Sequence, residues 1–145
     1  MRAGLALYGD DGRVVWYRSR NFGSTVRLRR AAPVVLADIP GLAYVALEGG
    51  GVVADIWERE AERLAATVIR VSAEEWRAEL LYPREQRSGA QAKQHADALA
   101  RRVIAWSGAP RPTSLTHDAA EAVLVGLWAA VGVGWLDAIP ADLRR

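Results

Sequence analysis

Two short apolar runs flank a polar turn near the start of the chain. The runs cover residues 5–8 and 14–17, and Gly9-Asp10-Asp11-Gly12 separates them. Asp-Gly adopts the positive φ angles that tight turns require, so this pattern predicts a β-hairpin. A helix is predicted next, from Ser24 to about Ala37, with a break or kink near Pro33 because proline removes a backbone donor.

Helical and strand patterns alternate along the rest of the chain. The continuous apolar run from Leu42 to Leu47 predicts a strand buried on both faces, which ends at Glu48. Apolar residues recur at near-helical spacing over 52–66, and the segment over 90–106 is amphipathic. Ser72 to Glu75 matches a capping box, and the run over 122–136 is apolar on all sides. The predicted elements are a helix over 52–66, a strand over 67–71, and helices over 73–81, 90–106 and 118–136. A mobile polar loop is predicted at 84–90.

This order of elements predicts an α/β protein. Early strands, then strands and helices in alternation, then terminal helices are typical of a three-layer domain in which helices flank a central mixed sheet. A length of 145 residues, of which 51% are hydrophobic, suits a single domain over residues 1–145. The apolar run over 122–136 is interrupted by three glycines and is shorter than the roughly 20 residues of a membrane span, so it predicts a buried helix.

Composition limits the chemistry and the location of the protein. The chain has no cysteine, which excludes a disulfide framework and a thiolate zinc site. No signal-peptide pattern precedes the first amphipathic stretch, so we expect a cytoplasmic protein. The cations outnumber the acids in residues 1–45 and 86–145, whereas acids dominate residues 46–85. This asymmetry suits a polyanionic partner, although an arginine-rich codon bias explains it equally well.

Glu48 is the first candidate for a functional acid. It stands where the predicted buried strand runs into Gly49-Gly50-Gly51. Ligands of open α/β sheets gather outside the carboxyl ends of strands, so a carboxylate there is well placed for a site. The alternative is that Glu48 only begins a loop.

Asp118 and Glu121 form a second candidate group at the start of the last predicted helix. Residues three apart lie on one helical face, so the two carboxylates point in a similar direction. Such a pair of hard oxygen ligands suits magnesium or manganese. The alternative is helix capping, with Asp118 as the cap. The apolar run that follows must pack on the body of the domain, which holds this acidic start close to the sheet.

Four segments together resemble a known family. They are Tyr44-Val45-Ala46-Leu47-Glu48, the run from Ile69 to Arg77, the basic helix from Gln91 to Trp106, and the run from His117 to Ala122. Their order and spacing resemble the RuvC-like Holliday junction resolvases of the ribonuclease H-like superfamily, over roughly residues 4–136. In that family a glutamate at the end of a central strand joins two acids at the start of the last helix.

The resemblance implies a divalent-metal-dependent, structure-selective DNA endonuclease that hydrolyses phosphodiester bonds. Glu48, Asp118 and Glu121 would bind Mg²⁺ or Mn²⁺ and act as the catalytic carboxylates. The partner would be branched or duplex DNA. A homodimer is expected as well, since a four-way junction offers two symmetric strands to cut. His117 is a candidate contact to the scissile phosphate or to the water, or else a surface residue.

The chain departs from the family at the first catalytic strand. The family carries a further Asp there, in a Gly-x-Asp-x-Gly turn, and the segment from Gly4 to Tyr8 resembles the strand after it. We therefore expect weak cleavage or none from this chain, and recovery when the strand is supplied upstream. A rival alignment makes Asp10 the missing ligand, although turn chemistry also explains that residue. A catalytically inactive DNA-binding or scaffold domain, and an unrelated α/β protein, are the other readings.

Cations near the predicted polar loop are the candidates for DNA contact. Arg84, Arg87 and Lys93 would neutralise phosphates and set the register on the duplex without reading its sequence. A second group of arginines lies near the start of the chain, at positions 18, 20, 27 and 29. The alternative for both groups is a solvated basic face.

Overall fold

The structure is a computed structural model that describes residues 1–144. Over these residues it contains five α-helices and two small sheets, so the predicted α/β class is confirmed. The strands are β1 (Arg2–Tyr8), β2 (Val14–Asn21), β3 (Tyr44–Glu48) and β4 (Thr67–Val71). The helices are α1 (Thr25–Ala37), α2 (Gly51–Arg63), α3 (Ala73–Leu80), α4 (Gly89–Ser107) and α5 (His117–Gly132), with 3-10 turns at Pro83–Gln86 and Ala141–Leu143. No helix within residues 1–144 is long and apolar enough to cross a membrane.

The chain forms two compact units. The first unit holds residues 1–2 and 21–73, and the second holds residues 3–20 and those from 74 onward. Each sheet has two strands: β1 pairs with β2, and β3 pairs with β4. The single central mixed sheet of the prediction is therefore replaced, in the described part of the chain, by two separate pairs.

The first unit is built around a parallel β-α-β element. Strands β3 and β4 pair in parallel, from Tyr44 opposite Thr67 to Glu48 opposite Val71, and α2 connects them. Helices α1 and α2 pack together, and the rings of Phe22 and Trp57 meet edge to face with centroids 5.7 Å apart. Such edge-to-face contacts are a favourable arrangement for aromatic side chains in a core.

The prediction that the strand before Glu48 is buried on both faces is wrong. Residues 45–47 of β3 are half-buried, and Tyr44 and Glu48 are exposed. Strand β3 has β4 as its one neighbour in the described sheet, which leaves its second edge uncovered by another strand. A continuous apolar run shows that a strand favours burial, but does not show how many strands surround it.

The predicted break of the first helix near Pro33 is also wrong, whereas the alternative of a kink stays a prediction. Helix α1 starts after Ser24, whose hydroxyl accepts a hydrogen bond from the Arg27 amide at 3.2 Å, and it continues through Pro33 to Ala37. Proline removes one internal hydrogen bond and crowds the preceding turn. Buried side chains on both sides of Pro33, at Ala32 and Leu36, hold the helix together across that position.

In the second unit, β1 lies along α5 and both elements run in the same direction. Three close approaches occur in the same order along the segment that starts with β1 and the segment that starts with α5. These pairs are Gly4 with Asp118, Tyr8 with Gly126, and Gly12 with Leu136. The hairpin turn therefore meets the residues that follow α5, and the opposite end of the hairpin meets the start of α5.

Helix α4 has clear signals at both ends. The Ser88 hydroxyl accepts a hydrogen bond from the Gln91 amide at 3.1 Å, and Gly108 ends the helix with a positive φ of 73°. Both positions follow the usual preferences for helix caps. The predicted loop just before α4 contains the 3-10 turn Pro83–Gln86, in which Glu85 accepts a hydrogen bond from the Tyr82 amide at 2.8 Å.

Candidate acidic site at the start of helix α5

The first turn of α5 carries the carboxylate of Asp118 in an ordered position. The helix begins at His117, and Thr116 occupies the N-cap position without a side-chain cap hydrogen bond. Asp118 is thus the second helical residue, and the alternative in which it acts as the N-cap is wrong. Its Oδ1 atom accepts a hydrogen bond from the Ala119 amide at 2.9 Å. A carboxylate at this position also interacts favourably with the helix dipole.

Strand β2 fixes the same carboxylate from the other side. The Ser19 hydroxyl donates to Oδ2 of Asp118 at 2.7 Å. The backbone of β1 also comes close, because a Cβ atom on Gly4 would lie 1.9 Å from the Asp118 carbonyl oxygen. Burial raises the pKa of Asp118, but hydrogen bonds from Thr116, from Ser19 and from the backbone outweigh it and hold this pKa below its ordinary value. Asp118 is therefore ionised at neutral pH.

Replacing Ser19 by alanine is expected to raise the pKa of Asp118, because one hydrogen bond to the ionised form is lost. A carboxyl with a lowered pKa stabilises the fold above its unfolded-state pKa, and this contribution disappears as the pH falls through the folded-state pKa. The variant should therefore lose less stability on acidification. A carboxyl-carbon NMR titration measures the pKa directly. Ser114→Ala, at an exposed position before α5, is the control, and an Asp118 pKa equal in both variants would contradict the assignment.

Glu121 lies one turn further along α5 and already has cationic and imidazole partners. Nη2 of Arg77, on α3, contacts Oε2 of Glu121 at 3.2 Å. Nε2 of His117 contacts Oε1 at 3.0 Å. The side chain of Glu121 is only 19% exposed, so solvent screens these interactions incompletely. Arg77 is the charge that neutralises this acid.

The chemistry of a divalent cation suits one of the two acids in α5. Asp118 is ionised and presents hard oxygens, which fits magnesium or manganese. Glu121 does not fit as placed, because both of its oxygens contact nitrogen atoms and a cation would have to displace Arg77 or His117. Within residues 1–144, no group of three or more His, Asp or Glu side chains is arranged to hold a metal ion.

The third predicted acid, Glu48, belongs to the first unit. It ends β3 opposite Val71 and is exposed, directly before Gly49 with its positive φ of 83°. Its position at the carboxyl end of a parallel strand agrees with the prediction. The structure places Asp118 and Glu121 together on α5 in the second unit. The convergence of Glu48 with them stays a prediction.

Asp10 does not join the acidic pair. It lies in the hairpin turn, where Oδ1 of the neighbouring Asp11 accepts a hydrogen bond from the Arg13 amide at 3.0 Å. Asp118 contacts β1 at Gly4, six residues before Asp10. Tyr8, where β1 ends, lies beside Gly126, about two helical turns along α5 from Asp118, and Asp10 lies in the turn beyond Tyr8. The alignment that makes Asp10 a ligand beside Asp118 is therefore wrong.

Two residues that shape this site were not predicted from the sequence. Ser19 orients Asp118 across 99 residues of chain, and Arg77 pairs with Glu121 across 44 residues. The alternation of side chains along a strand is a weak sequence signal for Ser19, because it places Ser19 on the same face of β2 as Tyr17. The hydroxyl of Tyr17 also makes a hydrogen bond to a distant segment, donating to the Pro110 carbonyl at 2.5 Å. For Arg77 the sequence shows only a charge beside a tryptophan.

Arg84, Arg87 and Lys93, the predicted DNA-facing residues, form the cationic segment. All three are exposed, and the guanidinium of Arg84 stacks on the Tyr82 ring at 4.4 Å. The side-chain amide of Gln86, within this segment, donates to the backbone carbonyls of Arg77 and Leu81, each at 3.2 Å. Arg77 therefore contacts the cationic segment through its backbone and Glu121 through its side chain.

No family model, no curated protein and no solved structure matches the chain.

Proposed function

We propose that the chain has a ribonuclease H-like fold and acts as a divalent-metal-dependent, structure-selective DNA endonuclease similar to Holliday junction resolvases. The connection through Arg77 supports this proposal most strongly. It joins an exposed cationic surface, suited to phosphates, to the acidic start of α5, where the ionised Asp118 suits a hard cation. The cationic segment and the carboxylates of α5 belong to the same unit, so a phosphodiester bound along the segment would lie in the unit that carries these carboxylates.

The position of the cationic segment favours an anionic partner. Arg87 and Lys93 flank the start of α4, a helix of 19 residues. The N-terminus of a helix carries partial positive charge, so cations there weaken the helix. A bound phosphate reverses this penalty, because it interacts favourably with the side chains and with the helix end. The only acid in the 3-10 turn before them, Glu85, contacts His95 at 3.2 Å.

The residues of α5 would divide the work at the acidic site. Asp118 would hold the divalent ion, and Ser19 keeps its carboxylate in one orientation. Glu48 would complete the ligand set of the proposal, and Glu121 would join it only by giving up its contacts with Arg77 and His117. A divalent ion held by these carboxylates would supply an activated water and stabilise charge on the attacking and leaving oxygens. His117, which is half-buried beside Glu121, would contact the phosphate.

A second candidate function is a DNA-binding domain that does not cleave. The ion pair between Arg77 and Glu121 favours it, because this pair neutralises one of the two carboxylates that a metal would need. Removing one partner of a partly buried pair leaves an uncompensated charge, which is costly. Under this reading Arg77 maintains the fold, and the cationic segment binds DNA by itself.

Salt-sensitive DNA binding is the expected result for either function. A fluorescently labelled four-way junction and a matching duplex are titrated with the protein at two salt concentrations, and anisotropy gives the affinity. Affinity should fall steeply as salt rises, because released counterions compete with protein cations. The double variant Arg87→Gln/Lys93→Gln should reduce the slope of log affinity against log salt by about 2, at roughly 0.9 per lost phosphate contact.

Arg59→Gln provides the matched control for this titration, since Arg59 is an exposed cation on α2 in the first unit. It should leave the slope unchanged. No binding at low salt, or equal slopes for the wild-type protein and the double variant, would remove the cationic segment from the proposal.

A further inference from the structure

A cleft of about 360 Å³ lies in the second unit, at the C-terminal end of α4. Its walls come from the last turns of α4 and from the segment over 109–112 that follows this helix. Binding sites for small molecules are usually clefts of about 300–1,000 Å³. The cleft therefore has room for one small ligand, and neither function proposed above makes use of it.

The cleft is held open by contacts within the protein. Gly108 ends α4 in the left-handed conformation, and the Ala109 amide then donates to the Ile104 carbonyl at 3.2 Å. The Tyr17 hydroxyl donates to the Pro110 carbonyl at 2.5 Å and ties the same segment to β2. These contacts shape the cleft before any ligand arrives, which lowers the entropic cost of binding.

Three arginines line the cleft. Nε of Arg101 contacts Asp97 at 2.9 Å, and Nε of Arg102 donates to the Leu143 carbonyl at 3.0 Å. Arg111 is exposed and makes no hydrogen bond or ion pair with another residue between positions 1 and 144. A guanidinium has five N–H donors, so Arg101 and Arg102 keep donors for a ligand. The lining therefore combines three positive charges with one nearby carboxylate, that of Asp97.

The remaining lining residues are apolar. Ala105, Ala109 and Pro112 present accessible surface to the cleft, and the buried Ile104 packs behind them. A small inorganic anion would satisfy the arginines but leave this surface in contact with water. A purely apolar ligand would cover the surface but leave the guanidinium groups unused. The matching ligand has a flat apolar part joined to an anionic group.

We propose that this cleft binds one nucleotide. Arg101, Arg102 and Arg111 hold the phosphate, because guanidinium groups form paired hydrogen bonds with phosphate oxygens. The base covers the apolar lining at Ala105, Ala109 and Pro112, with the arginine planes available for stacking. The nucleotide is an unpaired residue of a DNA strand or a free nucleotide. The first source rests on the proposed DNA-binding function, whereas the site itself does not depend on cleavage.

Calorimetric titration of the full chain with deoxyadenosine monophosphate tests the site. Saturable binding is expected, and deoxyadenosine and inorganic phosphate should each bind at least about tenfold more weakly, because each lacks half of the recognised chemistry. Arg111→Gln should weaken nucleotide binding about tenfold, as expected for a lost charge-assisted hydrogen bond. Arg111 has no partner in the described chain, so this variant should keep the wild-type unfolding temperature.

A second variant and two controls complete the experiment. Ala105→Glu places a negative charge at an exposed helical position of the cleft, and it should abolish nucleotide binding. Arg59→Gln should leave nucleotide binding unchanged, and so should Arg87→Gln/Lys93→Gln, which weakens duplex binding. The nucleotide site and the duplex surface therefore fail independently.

A single-stranded hexadeoxyadenylate distinguishes the two sources. Tighter binding of the hexamer than of the mononucleotide, lost in Arg111→Gln, assigns the cleft to a DNA strand. Equal affinities assign it to a free nucleotide. Absence of saturable mononucleotide binding, or binding that Arg111→Gln and Ala105→Glu leave intact, would overturn the proposal.

Discussion

The Gly126→Ala variant is expected to lower the free energy of unfolding by about 2 kcal/mol, because overpacking a core costs roughly 1–3 kcal/mol or more. A Cβ atom at this position would lie 2.1 Å from Cε1 of the Tyr8 ring. The ring has little freedom to move, since the Tyr8 hydroxyl donates to the Val123 carbonyl on the same helix. Alanine improves helix propensity by only up to about 1 kcal/mol, so the steric clash decides the sign.

Gly132→Ala is the matched control for this prediction. Gly132 is the last residue of the same helix, and a Cβ atom there meets nothing within 4 Å. This variant should be neutral or slightly stabilising. Urea denaturation followed by circular dichroism gives the free energy of unfolding for both variants. The double variant Tyr8→Ala/Gly126→Ala tests the cause, because removing the ring should make Gly126→Ala almost neutral in that background. Equal stabilities of Gly126→Ala and Gly132→Ala would contradict the packing of β1 on α5.

Local signals in the sequence predict most of the elements but not their assembly. The Asp-Gly turn predicts the hairpin of β1 and β2, and the run from Thr67 to Val71 matches β4 at both ends. Such signals come from backbone preferences and periodicity within a few residues. The number of strands in each sheet depends on contacts between distant segments. The prediction for β3 failed for this reason, since its apolar run suggested burial on both faces, whereas residues 45–47 are half-buried and Tyr44 and Glu48 are exposed.

The candidate site shows the same division between local and distant information. Helical periodicity predicts that Asp118 and Glu121 share one face near the start of a helix, and α5 contains both residues in this arrangement. The partners that decide their charge lie far away in the chain. Ser19 supports an ionised Asp118, whereas Arg77 neutralises Glu121, and no spacing in the sequence shows either contact. Asp118 is therefore available to bind a cation, whereas Glu121 is already paired with Arg77.

This difference sets the expected result of a cleavage assay on a labelled four-way junction. The wild-type chain should cut weakly in magnesium, because Arg77 competes with a cation for Glu121. Manganese should support more cutting, since it tolerates a wider range of ligands than magnesium. Arg77→Gln should increase cleavage at a given manganese concentration if it still folds, which its near-UV circular dichroism would show. A decrease in a folded Arg77→Gln protein would assign Arg77 to DNA binding or to the fold, as in the non-cleaving reading.

Asp118→Asn should lower the cleavage rate about a hundredfold or more. A divalent ion stabilises the transition state by several kcal/mol, and each loss of about 1.4 kcal/mol slows the reaction tenfold. DNA affinity should stay the same or rise slightly, since the change removes a negative charge near the phosphates. Glu48→Gln should lose cleavage to a similar extent if the third ligand comes from the first unit. Glu62→Gln, an exposed acid on α2, is the control with the same change in net charge. Cleavage that persists in Asp118→Asn would come from another site or a contaminant, and cleavage absent from the wild-type chain under all metal conditions would leave DNA binding without catalysis as its function.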